Sequence, residues 1–289
     1  MNWIIPAVLS ALFAGITSVL VKIGVKTTDS DVATAIRTIV VLIFSWIMVF
    51  IAGTQSEITQ IDGKTWVFLI LSGLATGASW LCCYKALQIG DVNKVTPVDK
   101  SSSVLVIILA AVFLGESLTL LQAAGVVLIA AGTFLMIAKK ETAEPPKSGR
   151  GWFFYASLSA VFAALTSILG KIGINGVDSN LGTALRTGVV LVMAWLCAGV
   201  KGKLPLIKKI NSKELVFILL SGFSTGASWL CYYRALKFGR AGAVASIDKL
   251  SIVFTVIFSR IAFGEKLSKK ASAGLCALIA GTLMLMRNA

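Results

Sequence analysis

Ten long apolar runs follow one another along the chain, and short polar stretches separate them. Each run is close to the roughly 20 residues that an α-helix needs to cross the hydrocarbon core of a bilayer. The pattern therefore predicts an all-α integral membrane protein with ten transmembrane helices. The predicted helices lie near 3–22, 32–52, 65–87, 95–114, 119–138, 152–172, 181–200, 214–236, 244–263 and 268–286.

The first five runs and the last five are copies of one sequence. A shift of 149 residues aligns them without a gap. FAGITSVLVKIG at 13–24 then matches FAALTSILGKIG at 162–173, and LSGLATGASWLCCYKALQIG at 71–90 matches LSGFSTGASWLCYYRALKFG at 220–239. Internal symmetry of this extent indicates a duplicated structural unit.

Five crossings in each copy have a consequence for topology. Because five is odd, the second copy begins on the opposite side of the membrane, and the two copies are inverted repeats. Inverted repeats are typical of secondary transporters, whose substrate site lies near the bilayer midplane between the repeats. We predict a first five-helix repeat over 1–138, a linker over 139–151 and an inverted second repeat over 152–289.

The composition supports the prediction of a membrane protein and decides how the positive net charge is interpreted. Hydrophobic residues make up 57% of the chain and charged residues 14%, against about 45–50% and about 25% in soluble proteins. In a soluble protein, the net charge of +14 would suggest a nucleic-acid partner. Here the basic residues lie at the ends of the apolar runs, where they act as topology signals. We therefore predict no nucleic-acid partner.

The distribution of basic residues predicts the orientation. Of the 27 Lys and Arg residues, 19 fall on the side of the membrane that holds the linker, and eight fall on the side with both termini. The positive-inside rule makes the first side cytoplasmic, in a plasma membrane or a bacterial inner membrane. The loops predicted to be cytoplasmic are 139–151, 201–213 and 264–270.

Metal-dependent and nucleophilic chemistry have no support in the sequence. It contains no His, and its five Cys residues lie in apolar runs without a CxxC pair. The ligand spacing of a zinc-type site is therefore missing. We predict no metal, no cofactor and no catalytic residue, and we expect the protein not to be an enzyme.

The predicted third helix of each repeat carries aromatic residues in the middle of its apolar run. Trp80 and Tyr84 in the first repeat correspond to Trp229 and Tyr233 in the second. Their polar groups need partners or water, which favours a cavity wall and substrate binding. Glycines at a spacing of four share this face, so a packing seam between helices is the alternative.

Each repeat has an Asp-Lys pair about one turn inside the predicted fourth helix, and a Ser follows three residues after the Asp. A charged side chain costs about 2.5–3.5 kcal/mol at the centre of a membrane helix and less near its end, so it usually faces a cavity or a partner. Substrate or proton binding and a structural ion-pair network are both consistent with this pattern. The candidate residues are Asp99, Lys100, Ser102, Asp248, Lys249 and Ser251.

Four further cations, two in each repeat, flank the first loop of their repeat. Together with Asp99 and Asp248 they form a candidate charge network. The simpler interpretation is that these long side chains snorkel from the helix ends to the membrane surface. The four residues are Lys22, Arg37, Lys171 and Arg186.

The chain resembles the EamA-type family of the drug/metabolite transporter superfamily over nearly its whole length. The resemblance rests on the duplicated ten-helix pattern and on the Gly-Glu pairs at 115–116 and 264–265, which close the fourth helix of each repeat. It implies an alternating-access carrier of small metabolites with a central cavity, often acting in export. It also implies that a proton gradient or exchange drives transport.

The sequence departs from the small four-helix relatives, which couple protons through a Glu in their first helix. Residues 3–21 and 152–170 contain no carboxylate. If protons are coupled, Asp99 and Asp248 are the carboxylates placed for it.

The candidate cavity residues are mostly basic, which favours substrates with a carboxylate or phosphate group. We therefore predict a secondary active transporter, acting in export, for an amino acid or another small organic anion or zwitterion. Its expected partners are this substrate, the lipid bilayer and a coupling proton. One chain holds both repeats, so a monomer suffices.

Other functions are less well supported by the sequence. The main alternative is a lipid-linked carrier or flippase for a phosphate-bearing lipid, because cations near the helix ends could hold a phosphate. An intramembrane enzyme would need Asp99 and Asp248 as a carboxylate dyad, and a passive channel would need a filter motif or a ring of like charges.

Overall fold

A computed structural model describes residues 3–24, 27–89, 95, 98, 101–136, 151–264 and 268–286. Two short 3-10 helices, Gln55–Gln60 and Leu204–Lys209, occupy equivalent loops of the two repeats. The first repeat contains α1 (Ile4–Gly24), α2 (Ser30–Ala52), α3 (Gly63–Ile89), α4 (Ser102–Leu114) and α5 (Leu120–Met136). The second contains α6 (Gly151–Ile174), α7 (Ser179–Val200), α8 (Ser212–Phe238), α9 (Ala241–Asp248), α10 (Ser251–Phe263) and α11 (Lys269–Met286).

The helices are those of a multi-pass membrane protein. Over the described ranges, eight segments are long and apolar enough to cross a membrane, and the shorter apolar helices α4 and α5 bring the number to ten. The prediction of ten transmembrane helices in two inverted repeats is therefore confirmed. Large apolar side chains such as Phe50, Leu120 and Ile261 are exposed on the outer surface, where lipid is the favourable solvent.

The fourth crossing of the second repeat is broken in the middle. Helix α9 ends at Asp248 and α10 begins at Ser251. The crossing predicted near 244–263 is therefore present as Ala241–Phe263, but it is not one uninterrupted α-helix. At the break, Lys249 N–H donates to Ser246 O and Leu250 N–H to Ile247 O, at 3.2 and 2.8 Å. These bonds span three residues instead of four, which tightens the turn and interrupts the α-helix. Asp248 and Lys249 therefore lie at the break.

Helices of one repeat pack mainly against helices of the other. Helix α1 packs on α8, and the equivalent pair is α6 on α3. Helices α2 and α7 pack on each other, as do α5 and α11. Each contact made by a helix of the first repeat is thus matched by an equivalent contact of the second. Such matching is typical of inverted repeats related by a pseudo-two-fold axis.

Glycines permit the closest of these contacts. In the α5–α11 pair, a Cβ at Gly132 would lie 2.6 Å from the carbonyl oxygen of Gly274, and a Cβ at Gly274 would lie 2.7 Å from that of Gly132. Gly125 and Gly281 are related in the same way. The four residues form a packing face, as their spacing of seven predicts. We call these four residues the glycine seam.

Equivalent Asp residues begin α2 and α7. Asp29 accepts hydrogen bonds from the backbone N–H groups of residues 31 and 32, and Asp178 accepts them from those of residues 180 and 181. Side-chain acceptors of this kind satisfy the orphan donors of a helix N-terminus. Because both helices start at the same repeat position, Arg37 and Arg186 have the same place along them.

Candidate functional site: a central cavity

A cavity of about 340 Å³ lies between the two repeats. Helices α1, α3 and α4 of the first repeat and α6 to α9 of the second form its wall. This volume is at the lower end of the range of about 300–1,000 Å³ that small-molecule sites occupy. The described residues that line it are Ser10, Ala14, Thr76, Trp80, Ser102, Ser103, Val106, Ala163, Thr166, Ser167, Arg186, Ser228, Trp229, Tyr232, Tyr233, Ala245, Asp248 and Lys249.

Arg186 is held on this wall by two hydrogen bonds and two aromatic rings. Its Nε donates to Ser72 Oγ at 2.9 Å, and its Nη2 donates to Thr76 Oγ1 at 2.6 Å. Its guanidinium carbon lies 5.0 Å from the ring centroid of Trp229 and 4.8 Å from that of Tyr233. Two hydroxyls and two aromatic faces thus hold the guanidinium plane in one orientation.

One side of this guanidinium is unsatisfied. Arg186 is only 2% exposed, and its Nη1 is buried without a hydrogen-bond acceptor among the described residues. No described carboxylate lies within ion-pair distance of it. A buried, uncompensated cation is costly, so this position is suited to an anion that enters the cavity.

Hydroxyl groups fill the rest of the polar wall. Tyr232 Oη lies 3.0 Å from Ser167 Oγ, and Ser10 Oγ lies 3.2 Å from Ser228 Oγ. These groups donate or accept by rotating the hydroxyl hydrogen. The cavity therefore presents the Arg186 guanidinium and the Asp248–Lys249 pair together with adaptable hydrogen-bonding groups and the Trp80 and Trp229 rings.

A carboxylate of the first repeat caps the N-terminus of α9 in the second. Glu116 accepts the backbone N–H groups of Ala241 at 2.6 Å and Gly242 at 3.1 Å. Lys171 lies 3.5 Å and Arg240 3.9 Å from its carboxylate, and Lys171 also donates to the carbonyl of Gly239. We call Glu116, Lys171 and Arg240 the ionic latch. It joins the repeats on the side of the membrane that holds the α8–α9 connection.

The family model of the EamA-like transporter family matches the chain twice, over residues 1–138 and 150–287. The chain belongs to the EamA-like transporter family. This confirms the resemblance that the sequence pattern carries, and it identifies the molecule as a membrane transporter.

Individual relatives agree with the family match. The chain is 48% identical over 135 residues to an uncharacterized transporter in the cobO 3′ region of a Sinorhizobium species, covering 47% of this chain and 96% of that protein. It is 30% identical over 208 residues to human solute carrier family 35 member G1, covering 69% and 56%. A crystal structure with 15% identity superposes with a TM-score of 0.79 over 98% of this chain and 96% of that chain, which shows a shared fold.

The cavity of this EamA-like transporter brings together six of the residues predicted to bind substrate. They are Trp80, Ser102, Trp229, Tyr233, Asp248 and Lys249. Ser251 begins α10 and is not among the lining residues. Asp99, Lys100 and the Tyr84 side chain lie outside the part of the chain that the structure describes. The binding role of all these residues stays a prediction.

The four flanking cations of the EamA-like transporter have different surroundings. Lys171 belongs to the ionic latch, and Lys22 Nζ lies 4.7 Å above the ring of Phe263. Arg37 is half-buried beside a small second cavity. Snorkelling is the wrong interpretation for Arg186, because its side chain is enclosed by polar and aromatic groups of α3 and α8 instead of reaching the membrane surface.

Sequence reasoning missed several polar residues that line the cavity of the EamA-like transporter or hold its lining residues. Ser72 and Thr76 are four residues apart on α3, and this spacing on the face that carries Trp80 was an available signal for the hydroxyls that hold Arg186. The Ser10–Ser228 and Ser167–Tyr232 pairs join residues 218 and 65 positions apart, and no local pattern predicts them. Across the described residues, no group of three potential metal ligands occurs.

Proposed function

We propose that this transporter carries a small organic anion or zwitterion with a carboxylate group, such as an amino acid, by alternating access. The unsatisfied guanidinium of Arg186 on the cavity wall is the observation that carries this proposal. A carboxylate placed against Nη1 would compensate the buried charge and complete the hydrogen bonding of the side chain. The aromatic and hydroxyl groups around it would then contact the remainder of the substrate.

The rest of the wall supports a zwitterion as well as a simple anion. Asp248 and Lys249 lie at the break between α9 and α10, so a carboxylate and an ammonium group are both present beside the cavity. Discontinuous helices supply substrate and ion sites in many inverted-repeat transporters. Asp248 and its repeat mate Asp99 are the carboxylates proposed to couple proton movement.

Transport in the export direction is proposed from the family resemblance, and the charge distribution supports the proposed orientation in the membrane. The basic loops 139–151, 201–213 and 264–270 are proposed to face the cytoplasm of a cell bounded by a plasma or inner membrane. In this arrangement both termini face outward, and a monomer carries the complete site. A C-terminal reporter that fluoresces only in the cytoplasm should stay dark, and a bright reporter would contradict this topology.

Ligand stabilisation of the purified protein tests the substrate class. Alanine, glutamate, succinate and inorganic phosphate are added separately, with alaninamide as the matched probe that lacks a carboxylate. A ligand that binds the folded state raises the melting temperature by mass action. We expect at least one carboxylate to do so and alaninamide to have no effect. Equal stabilisation by alanine and alaninamide would contradict the proposed role of the carboxylate.

Counterflow in liposomes tests the role of Arg186. Loss of a hydrogen bond to a charged group is worth about 1.5–3 kcal/mol, so Arg186→Gln should raise the KM of the stabilising anion about 10- to 100-fold. Arg260→Gln is the matched control, because Arg260 is an exposed arginine near the end of α10. Unchanged KM in Arg186→Gln, or movement of a fluorescent phospholipid instead of the carboxylate, would overturn the proposal.

A further inference from the structure

A short pattern on α3, Ser-Gly-x-x-Thr-Gly, begins at Ser72 and places two hydroxyls next to two glycines. A Cβ at Gly73 would lie 2.6 Å from the side chain of Val189 on α7 and 3.2 Å from the carbonyl oxygen of Arg186. The missing side chain therefore lets α7 approach α3 closely. This close approach brings Ser72 and Thr76, each of which precedes a glycine, against the guanidinium of Arg186.

The protons of both hydroxyls are directed at main-chain carbonyls. Ser72 Oγ donates to the carbonyl of Thr166 on α6 at 2.7 Å, and Thr76 Oγ1 donates to the carbonyl of Ser72 at 3.0 Å. A hydroxyl has one proton and two acceptor lone pairs. Lone pairs of both oxygens therefore remain for the guanidinium of Arg186, which donates to them from Nε and Nη2.

The two hydroxyls occupy one edge of the Arg186 guanidinium. Nε and Nη2 lie along this edge and form a fork that matches the two oxygens of a carboxylate. Ser72 accepts from Nε and Thr76 accepts from Nη2, whereas Nη1 has no acceptor among the described residues. A carboxylate in the cavity therefore meets Nη1 instead of this fork.

Neutral acceptors hold Arg186 without cancelling its charge. A carboxylate at the position of either hydroxyl would form an ion pair with the guanidinium and weaken its attraction for a second anion. The hydroxyls of Ser72 and Thr76 accept hydrogen bonds but carry no charge, so the buried guanidinium keeps its full positive charge. Because no described carboxylate pairs with it, an anion that enters the cavity compensates this charge.

We infer that Ser72 and Thr76 determine the specificity for an anion, because they hold the Nε and Nη2 edge of Arg186 without neutralising it. They act through Arg186, as positioning residues. This inference rests on the proposed function in taking a carboxylate as the ligand. It predicts that the charge of the side chain at position 76, and not its size, decides whether the anion binds.

Thr76→Asp and Thr76→Asn form a pair of similar size that differs in charge. Thr76 lines the cavity, so the longer side chains can extend into it. The introduced carboxylate should pair with Arg186, so the melting temperature without ligand should be higher in Thr76→Asp than in Thr76→Asn. Titration with alanine, glutamate and succinate, followed by thermal unfolding, should give an apparent Kd about 10- to 100-fold higher in Thr76→Asp than in Thr76→Asn.

Two control variants separate positioning of Arg186 from other effects. Thr76→Ser keeps a neutral acceptor and should retain both the response to the carboxylate and its absence with alaninamide. Ser228→Asp adds the same charge elsewhere on the cavity wall, where the hydroxyl hydrogen-bonds to Ser10. It should have a lower melting temperature without ligand than Ser228→Asn, because it buries a charge that Arg186 does not bind. A rise equal to that of Thr76→Asp would assign the effect to the total charge of the cavity and overturn the inference.

The measurements without ligand distinguish failure of this inference from failure of the proposed function. If none of the three carboxylates stabilises the unmodified protein, the proposed function fails, and the difference between Thr76→Asp and Thr76→Asn still tests the pairing with Arg186. If a carboxylate stabilises the unmodified protein and Thr76→Asp equally, the inference is overturned and the proposed function stands. Failure of Thr76→Asp to fold where Thr76→Asn folds would also overturn the inference.

A second pair of variants keeps the test decisive where neither variant of Thr76 folds. Thr166 Oγ1 lies 3.3 Å from Thr76 Oγ1 on the same cavity wall. Thr166→Asp should therefore raise the melting temperature without ligand and weaken carboxylate binding relative to Thr166→Asn, by less than is expected at position 76. Equal melting temperatures and equal carboxylate binding in this pair would overturn the inference.

Discussion

Two of the contacts between the repeats, the glycine seam and the ionic latch, differ in the atoms that form them. The glycine seam brings the backbones of α5 and α11 together symmetrically, with equivalent distances at its two ends. The ionic latch is made of side chains: the Glu116 carboxylate of the first repeat binds the N-terminus of α9 and two cations of the second. One contact is thus made by closely packed backbones, and the other by side-chain hydrogen bonds and ion pairs.

The difference follows from how each contact responds to movement. Backbones in close contact cannot shift without either collision or a gap, and packed interiors do not deform continuously. A carboxylate that accepts N–H groups can release them when a helix end moves, since water replaces the lost bonds. We therefore expect the glycine seam to stay fixed during transport and the ionic latch to open.

The largest effect is expected where the glycine seam is broken. Gly132→Leu would place a side chain where even a Cβ lies 2.6 Å from the Gly274 carbonyl and 2.7 Å from Leu278 N. Overpacking against backbone should lower the free energy of unfolding by about 3 kcal/mol or more. Thermal unfolding and size-exclusion chromatography in detergent measure the loss. Gly188→Ala is the control, since a Cβ there meets nothing within 4 Å, and should keep or raise stability.

A smaller and more local effect is expected at the ionic latch. Glu116→Gln weakens two charge-assisted hydrogen bonds to Ala241 and Gly242, so amide exchange at these residues should accelerate about tenfold or more. The melting temperature should change by only a few degrees, since the glycine seam is unaffected. Hydrogen–deuterium exchange measures the first effect. A global loss of protection throughout α5 and α11 would show that the latch is part of the permanent scaffold.

A carboxylate on the other side of the membrane provides a matched control for this variant. Glu214 accepts the N–H and hydroxyl groups of Thr27 and Thr28 and also joins the two repeats. Glu214→Gln should accelerate exchange at residues 27 and 28 and leave Ala241 and Gly242 protected. Acceleration of residues 241–242 in both variants would mean that the two ends are not independent.

The comparison also indicates which parts of the structure a sequence can predict. The apolar runs and the duplication can be read directly from the sequence. They therefore predicted the ten helices, the inversion of the repeats and the packing role of Gly125, Gly132, Gly274 and Gly281. The enclosure of Arg186 was not predicted, because Arg37 has the same local sequence and different surroundings. The broken helix at Lys249 was missed because residues 244–263 contain no Gly or Pro to signal an interruption.

The smallest expected effect concerns a third contact between the repeats, which lies in the loops. Lys203 binds both Asp29, at 2.8 Å, and Asp31, and Lys201 lies 3.0 Å from Asp31. Partial burial acts to raise the pKa of Asp29. The hydrogen bonds from Lys203 and from the backbone N–H groups of Asp31 and Val32 outweigh it and lower this pKa below its ordinary value.

This lowered pKa gives a direction for the dependence of stability on pH. A carboxyl group whose pKa is lower in the folded state stabilises the protein above the ordinary Asp pKa of about 3.9, and the stabilisation is lost as the pH falls through the folded value. The melting temperature of the unmodified protein should therefore fall more steeply below about pH 4 than that of Asp29→Asn. The difference should be at most about 1 kcal/mol, because Asp29 is partly exposed to solvent, which screens its charge. In Lys203→Gln, Asp29→Asn should change the slope less, and an identical change in both backgrounds would assign the lowered pKa to the helix cap alone.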